Sequence, residues 1–423
     1  MPTVIASRLE GIGLSPRNRN ILFWMCLVIA ANQLGFGSVV PVVALYAEDF
    51  GVSQAAIGLT IAIYGLARFL INYPSGRLSE QIGRKPTLAI GGMITVAGCV
   101  FCALAPNYPL FLTGRFVAGA GAAFVLTAGQ IVVADIASPH NRGRVMAIYM
   151  GVFVFAVGAG SFPGGWLATH IGLSAPFWAN AGLAAVVTVL AFFFVPETKP
   201  ERVESSSSTA SAPKQNGLAA FRHQLVLLTA IHGFALISFT SFVTFFARTG
   251  GLFNVIPLLA EDEIGLRPDQ IGLGIGMISI VGLVLVYPSG ALVDRFGRKA
   301  VIVPSAFFSA GAMVLFVLAG SFESFLVASL CWAVASGISG AAPAAYAADL
   351  APPDQVGPAM GLYRTIADLG YVVGPLLLGV ISDVISPQVS LYFTATLLVG
   401  SGLLFYLRAP ETLPEKVIAE HPA

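Results

Sequence analysis

A chain of 423 residues that is 56% hydrophobic and only 10% charged lies far outside the range of water-soluble domains, where about a quarter of residues carry charge. The formal net charge of +1 and the absence of any basic stripe speak against nucleic-acid binding. Cys26, Cys99, Cys102 and Cys331 all lie in apolar runs, which reads as packing rather than as a disulfide framework.

The chain opens with Arg8, Arg17 and Arg19 ahead of an apolar run from Ile21 to Tyr46. That run is too long for a signal-peptide core and is read as an uncleaved first membrane helix. A membrane helix needs about 20 mostly apolar residues. Such spans recur at 21–46, 54–75, 87–105, 109–134, 144–168, 174–195, 225–259, 268–289, 300–320, 323–348, 358–383 and 389–408. The seventh is overlong, and a break is expected near Gly250-Gly251. Between the sixth and seventh spans, residues 196–223 hold Glu201, Glu204, the serines Ser205 to Ser208 and Ala212-Pro213-Lys214. That composition predicts a flexible linker between an N-terminal bundle over 1–195 and a C-terminal bundle over 224–423.

Nearly all loop bases fall on one side, among them Arg17, Arg19, Arg77, Arg84, Lys85, Arg144, Lys199, Arg295, Arg298, Lys299 and Arg408, while only Arg267 falls on the other. The positive-inside rule then places both termini and the linker in the cytoplasm of a multi-pass inner (plasma) membrane protein.

The chain also repeats itself, the feature to look for first. Tyr73-Pro74-Ser75-Gly76 returns as Tyr287-Pro288-Ser289-Gly290. The same offset relates Ala134-Asp135-Ile136-Ala137 to Ala348-Asp349-Leu350-Ala351, Gly165 to Gly379, and Pro196-Glu197-Thr198 to Pro410-Glu411-Thr412. The predicted fold is an all-α integral membrane protein, with twelve transmembrane helices in two homologous six-helix bundles.

These motifs resemble the major facilitator superfamily of secondary transporters over nearly the whole chain. Gly290, Asp294, Gly297, Arg298 and Lys299 match that family's loop signature after the second helix of a bundle. Gly76, Glu80, Gly83, Arg84 and Lys85 match it with Glu80 in place of aspartate. The resemblance implies that these loops, with Asp135 and Asp349, form a conformational latch between the halves. Arg115 and the glycines after it resemble the helix-four motif, whose arginine is linked to proton coupling. Gly160, Pro163, Gly164 and Gly165 on span five, echoed by Gly374 and Pro375 on span eleven, partly match the helix-five motif of the drug:proton antiporter branch. Close packing of small residues accounts for them equally well.

Ionisable groups inside spans cost about 2.5–3.5 kcal/mol each on insertion scales and mark candidate sites. Asp368 is the one carboxylate well inside a span, and Arg364 lies one helical turn before it. The sequence leaves open a proton site and a static salt bridge. Arg115, Arg248, Thr249, Asn254, Asn32 and Gln33 are the other candidates, the last five forming a polar belt on the first helix of each half. Arg68 is read either as reaching back to the membrane interface or as a cavity residue.

The resulting expectation is a monomeric, proton-coupled transporter that exports small amphiphilic compounds, a multidrug-resistance activity, by alternating access. It needs the bilayer and a proton gradient, and no cofactor. Uptake of a small organic anion is the alternative, since the bases outnumber the acid. A non-transporting membrane sensor on the same fold is the remote one. The chain carries no nucleotide loop, metal-spaced set or nucleophile–base–acid constellation, so an enzyme is not expected.

Overall fold

The computed structural model describes residues 14–138, 141–199, 231–340, 342–352 and 356–412. The expected linker lies almost wholly outside them. The described residues contain no strand and form twelve spans long and apolar enough to cross a membrane.

In the first half, α1 (Pro16–Val39) begins at Ser15, whose Oγ accepts from the Asn18 N–H, with Pro16 at the first helical position. The short α2 (Val43–Glu48) follows, then α3 (Gln54–Ile82), α4 (Arg84–Ala103), α5 (Tyr108–Ile136), α6 (Arg142–His170) and α7 (Ala175–Phe193). The second half holds α8 (His232–Phe246), a π-helical segment (Ala247–Val255) and α9 (Ile256–Asp262) as one continuous rod. Then come α10 (Pro268–Phe296), α11 (Lys299–Val317), α12 (Phe322–Ser339), α13 (Ala342–Leu350), α14 (Val356–Val384) and α15 (Pro387–Arg408).

Three spans depart from the expected form. The first ends at Val39 and turns at Pro41 before α2. The seventh does not break at Gly250-Gly251 but winds into a π-helix there. The tenth is interrupted at Gly340, whose φ of +44° lies where only glycine rests easily.

The two halves pack alike. In the first, α3 lies on α5, α4 on α7 and α1 on α6; in the second, α10 lies on α12, α11 on α15 and α8 on α14. One buried cluster, with Leu22, Met25, Val132 and Tyr149, belongs to the first half. Another, with Phe234, Ile302, Tyr346 and Phe405, belongs to the second. A larger one spans both, from Val39 and Leu45 to Phe246, Leu259 and Leu391.

The repeated loop signature builds the same device in each half. Gly83, at φ +105°, and Gly297, at φ +92°, turn the chain between consecutive helices. The Glu197 carboxylate accepts from the backbone N–H of Arg84 (2.9 Å) and Lys85 (3.2 Å), and so covers the N-terminus of α4. Glu411 accepts from Arg298 and Lys299, both at 3.1 Å, at the N-terminus of α11. A carboxylate there satisfies donors the helix itself leaves open and favours the helix dipole. Burial raises the Glu197 carboxyl, but the N–H groups of Arg84, Lys199, Lys85 and Thr198 outweigh it and hold the group below its ordinary range. Glu197→Gln should therefore lower thermal stability in detergent by about 1 kcal/mol, measured by intrinsic fluorescence near neutral pH. Because the native pKa is depressed, wild type should lose this stabilisation as pH falls through the carboxylate range. A variant melting with wild type throughout would remove the cap from the account.

Candidate substrate cleft between the halves

The halves meet along two helix pairs, α3 with α14 and α6 with α10. On the face opposite the basic loops the contact is sealed. The Asp383 carboxylate at the end of α14 accepts from the backbone N–H of Gln54 (2.7 Å) and Ala55 (2.8 Å) at the start of α3. Asp269 on α10 accepts from the Thr169 hydroxyl on α6 at 3.3 Å. Glycines let backbone touch backbone here: a Cβ on Gly165 would strike Pro268, and one on Gly379 would strike Gln54. On the basic-loop face, the ion pairs of Arg84 with Asp135 and of Arg298 with Asp349 each stay within one half.

At the sealed face, α2 meets the π segment and α9. Burial, followed by the like charges of Asp262, Glu261 and Asp49, pushes the Glu48 carboxyl up to about 7. A carboxyl raised by the closed arrangement favours closure at acid pH, and the advantage is lost as pH rises through about 7. Spin labels on the 49–53 and 263–267 loops should lie closer at pH 5 than at pH 8 in wild type, read by pulsed dipolar spectroscopy. Glu48→Gln should remove most of that difference; an unchanged pH response would assign it elsewhere.

Midway along the helices lies a set of arginines. Arg115 on α5 is 3% exposed; its Nε donates to the Thr60 carbonyl (3.3 Å) and its guanidinium lies 4.6 Å over the Tyr64 ring. Tyr64 in turn stacks on Phe36 at 5.3 Å. Arg68 on α3 lies 5.9 Å over the ring of Tyr371 on α14, and its buried Nε has no hydrogen-bond partner. It faces the other half, not the membrane interface, because a Cβ on Gly65 would strike Tyr371 and the missing side chain lets α14 come close. Arg248 in the π segment is exposed and lies 5.5 Å over Phe253. Among the described residues, none of these three has a carboxylate within ion-pair range.

Asp368 reaches Arg364 at 3.5 Å, with the arginine side chain 55% exposed and the aspartate 25%. A charge-assisted hydrogen bond runs at about 2.7–2.9 Å, so the pair is formed but loose.

Two cavities flank Tyr371. One is lined by Phe36, Val39, Val40, Ile61, Phe253 and, at its polar end, Arg115. The other is lined by Gly65, Arg68, Phe69, Asn72 and Asp368. Tyr371 is part of both walls, and the Arg68 guanidinium lies over its ring. Sequence reasoning missed Tyr371. The available signal was its spacing, since Arg364, Asp368 and Tyr371 stand at i, i+4 and i+7 on one helix face.

The polar belt divides. Asn32 Nδ2 donates to Gln33 Oε1 at 2.8 Å, both buried in the first half. Thr249 donates to the carbonyls of Phe245 (2.8 Å) and Tyr371 (3.4 Å). Pro375 explains the second bond, because it lacks the N–H that would otherwise bond the Tyr371 carbonyl one turn back. Asn254 donates from Nδ2 to the Pro375 carbonyl at 3.4 Å, and its buried Oδ1 is unpartnered. No hydrogen bond between described residues joins the α1 pair to the π-segment pair.

The loop clusters are built inside each half. Arg84 Nε meets Asp135 at 3.0 Å, and Arg298 Nε meets Asp349 at 3.0 Å. Thr198 and Thr412 donate to the same aspartates, at 3.1 and 3.0 Å. The sequence paired these arginines and aspartates but did not connect the Pro-Glu-Thr repeats to them. Glu80 is exposed and takes no part among the described residues. Gly76 and Gly290 lie in the last turns of α3 and α10, and the Asp294 side chain lies outside the description. Lys85 and Lys299 spread over Phe192 and Tyr406, at 5.2 and 5.4 Å. On α6, Gly160 and Gly164 lie against the α1 backbone at Leu34 and Ser38, with Pro163 between them. Gly374 lies against the Phe246 backbone.

Comparison with known proteins agrees with this architecture. A family model described as Major Facilitator Superfamily matches residues 25–253 and again 237–422. Multidrug resistance protein 2 of Bacillus subtilis is 26% identical over 381 residues, covering 88% of this chain and 90% of that protein. The inner membrane transport protein YajR of Escherichia coli is 28% identical over 378 residues, covering 89% and 80%. Among solved structures, a bacterial homolog of the human lysosomal transporter Spinster, inward-facing and unoccupied, superposes with a TM-score of 0.74 at 15% identity, over 97% of this chain and 100% of that one.

Proposed function

The chain belongs to the Major Facilitator Superfamily of secondary transporters, and from that premise we propose that it is a proton-coupled exporter of small amphiphilic compounds. The observation that carries this reading is the pair of cavities on either side of Tyr371. One has a mostly apolar wall; the other holds Arg68, Asn72 and Asp368, so together they offer an apolar and a polar side of one site. The positive-inside rule makes the basic-loop face cytoplasmic, so the sealed face is external and the cleft is reached from inside. Export is supported by the Bacillus subtilis relative that is named for multidrug resistance.

Alternating access would rock the two halves about this cleft. In the outward-open state the Asp383 and Thr169–Asp269 bonds separate, and the loop clusters at Arg84 and Arg298 bring the cytoplasmic ends together. Asp368 carries the proton. Its bond to Arg364 is loose and partly exposed, so a modest rearrangement frees the carboxylate.

Purified protein in liposomes with an internal pH dye tests the reading. Under an inside-acid gradient, added amphiphile should trigger proton release in wild type, and Asp368→Asn should slow that release at least tenfold. Proton flux unchanged in Asp368→Asn would return the residue to a structural pair. Protons and substrate moving in the same direction would replace export with import.

A further inference from the structure

We propose that the compound held in this cleft is an anionic amphiphile, whose carboxylate or sulfonate head sits between Arg68 and Tyr371 while its apolar body lies along the Phe36–Phe253 wall. The inference deepens the proposed function and rests on its reading of the cleft as the transport site.

The argument is one of charge. Arg68, Arg115, Arg248 and Arg364 stand around Tyr371 or on its helix face, against the single carboxylate of Asp368. Only Arg364 has an ion-pair partner among the described residues. The buried guanidinium of Arg115 and the buried Nε of Arg68 keep a desolvation cost that a carboxylate would offset. Between them, Arg68, Arg115 and Arg248 make one hydrogen bond to a described residue, from Arg115 Nε to Thr60. Arg68 has the clearest vacancy, since its buried Nε donates to nothing while its guanidinium covers the Tyr371 ring. An arginine fork matches two oxygens of a carboxylate or sulfonate, and the Tyr371 hydroxyl and Asn72 amide add donors nearby. A cationic amphiphile would meet this excess of like charge with only one acid to receive it.

The apolar side is equally specific. Phe36, Val39, Val40, Ile61 and Phe253 offer no hydrogen-bonding side chain, and Phe36 stacks on Tyr64, the ring that Arg115 covers. An apolar group meets that wall without leaving a polar group unsatisfied, once the halves part and widen the space. The two chambers therefore select opposite ends of one molecule.

The test uses the full chain in nanodiscs and three probes sharing one ring system: 2-naphthalenesulfonate, (2-naphthyl)trimethylammonium and the neutral 2-naphthyl methyl sulfone. Binding is measured by titration calorimetry against protein-free nanodiscs. The sulfonate should bind at least tenfold more tightly than the ammonium. Arg68→Gln should weaken the sulfonate at least tenfold more than the sulfone, and Arg68→Lys should restore part of the loss. Equal or tighter binding of the ammonium, or sulfonate binding unchanged in Arg68→Gln, would overturn the proposal. If Arg68→Gln does not fold, the wild-type sulfonate-to-ammonium ratio decides. The liposome assay with the same probes separates the two readings. Tight sulfonate binding without coupled proton flux would keep the anion site and remove the exporter. Flux driven by the ammonium, without sulfonate preference, would keep the exporter and remove the anion site.

Discussion

A guanidinium inside a membrane protein keeps its charge, so something must neutralise, solvate or stack against it. This constraint shapes the middle of the molecule. Arg115 lies on Tyr64 and gives one donor to a helix carbonyl. Arg68 lies on Tyr371, Arg248 on Phe253, and Arg364 near Phe245 and Asp368. Aromatic faces take the place of carboxylates around the cleft. A cation over a ring gains about 0.5–2 kcal/mol, and among the described residues only Arg364 of the four adds a carboxylate partner.

Carboxylates at several helix ends, by contrast, find donors. Glu197 and Glu411 cover helix N-termini, Asp135 and Asp349 each bind an arginine and a threonine, and Asp383 covers the start of α3 from the other half. The two repeat-built devices lie within single halves and stiffen each bundle. The Asp383 contact lies between halves and holds one face closed. Rigid bundles joined by a few polar contacts at their rims suit a rocking motion. The inter-half contacts rely on backbone approach at glycine, as at Gly165 and Gly379, beside the apolar cluster that both halves share.

The seventh span shows how local chemistry and packing combine. Pro375 removes a donor from α14, Thr249 satisfies the exposed Tyr371 carbonyl, and Asn254 takes the Pro375 carbonyl. These bonds fall on the π-helical stretch, whose wider turn is rare and recurs at functional sites. The same stretch carries Arg248 toward an exposed position while Thr249 and Asn254 stay buried against α14. Neighbouring residues thus serve the cleft and the helix contact separately.

The sequence alone determined the number of spans, the duplication, the concentration of bases on one face and the pairing of Arg84 with Asp135 and Arg298 with Asp349. These are local or repeated properties: hydrophobic length is a sum over adjacent residues, and a motif that occurs twice marks the same position in two bundles. Only the tertiary structure decided that Arg68 faces Tyr371, that Asn32 and Gln33 stand apart from Thr249 and Asn254, and that Pro-Glu-Thr closes the helix ends. Each depends on how far a helix is rotated and how closely it approaches its neighbour. Contacts such as Gly65 with Tyr371 set that rotation, between residues about three hundred positions apart. An apolar helix looks much the same from every side in sequence, so the face it turns to the cleft is settled only by packing.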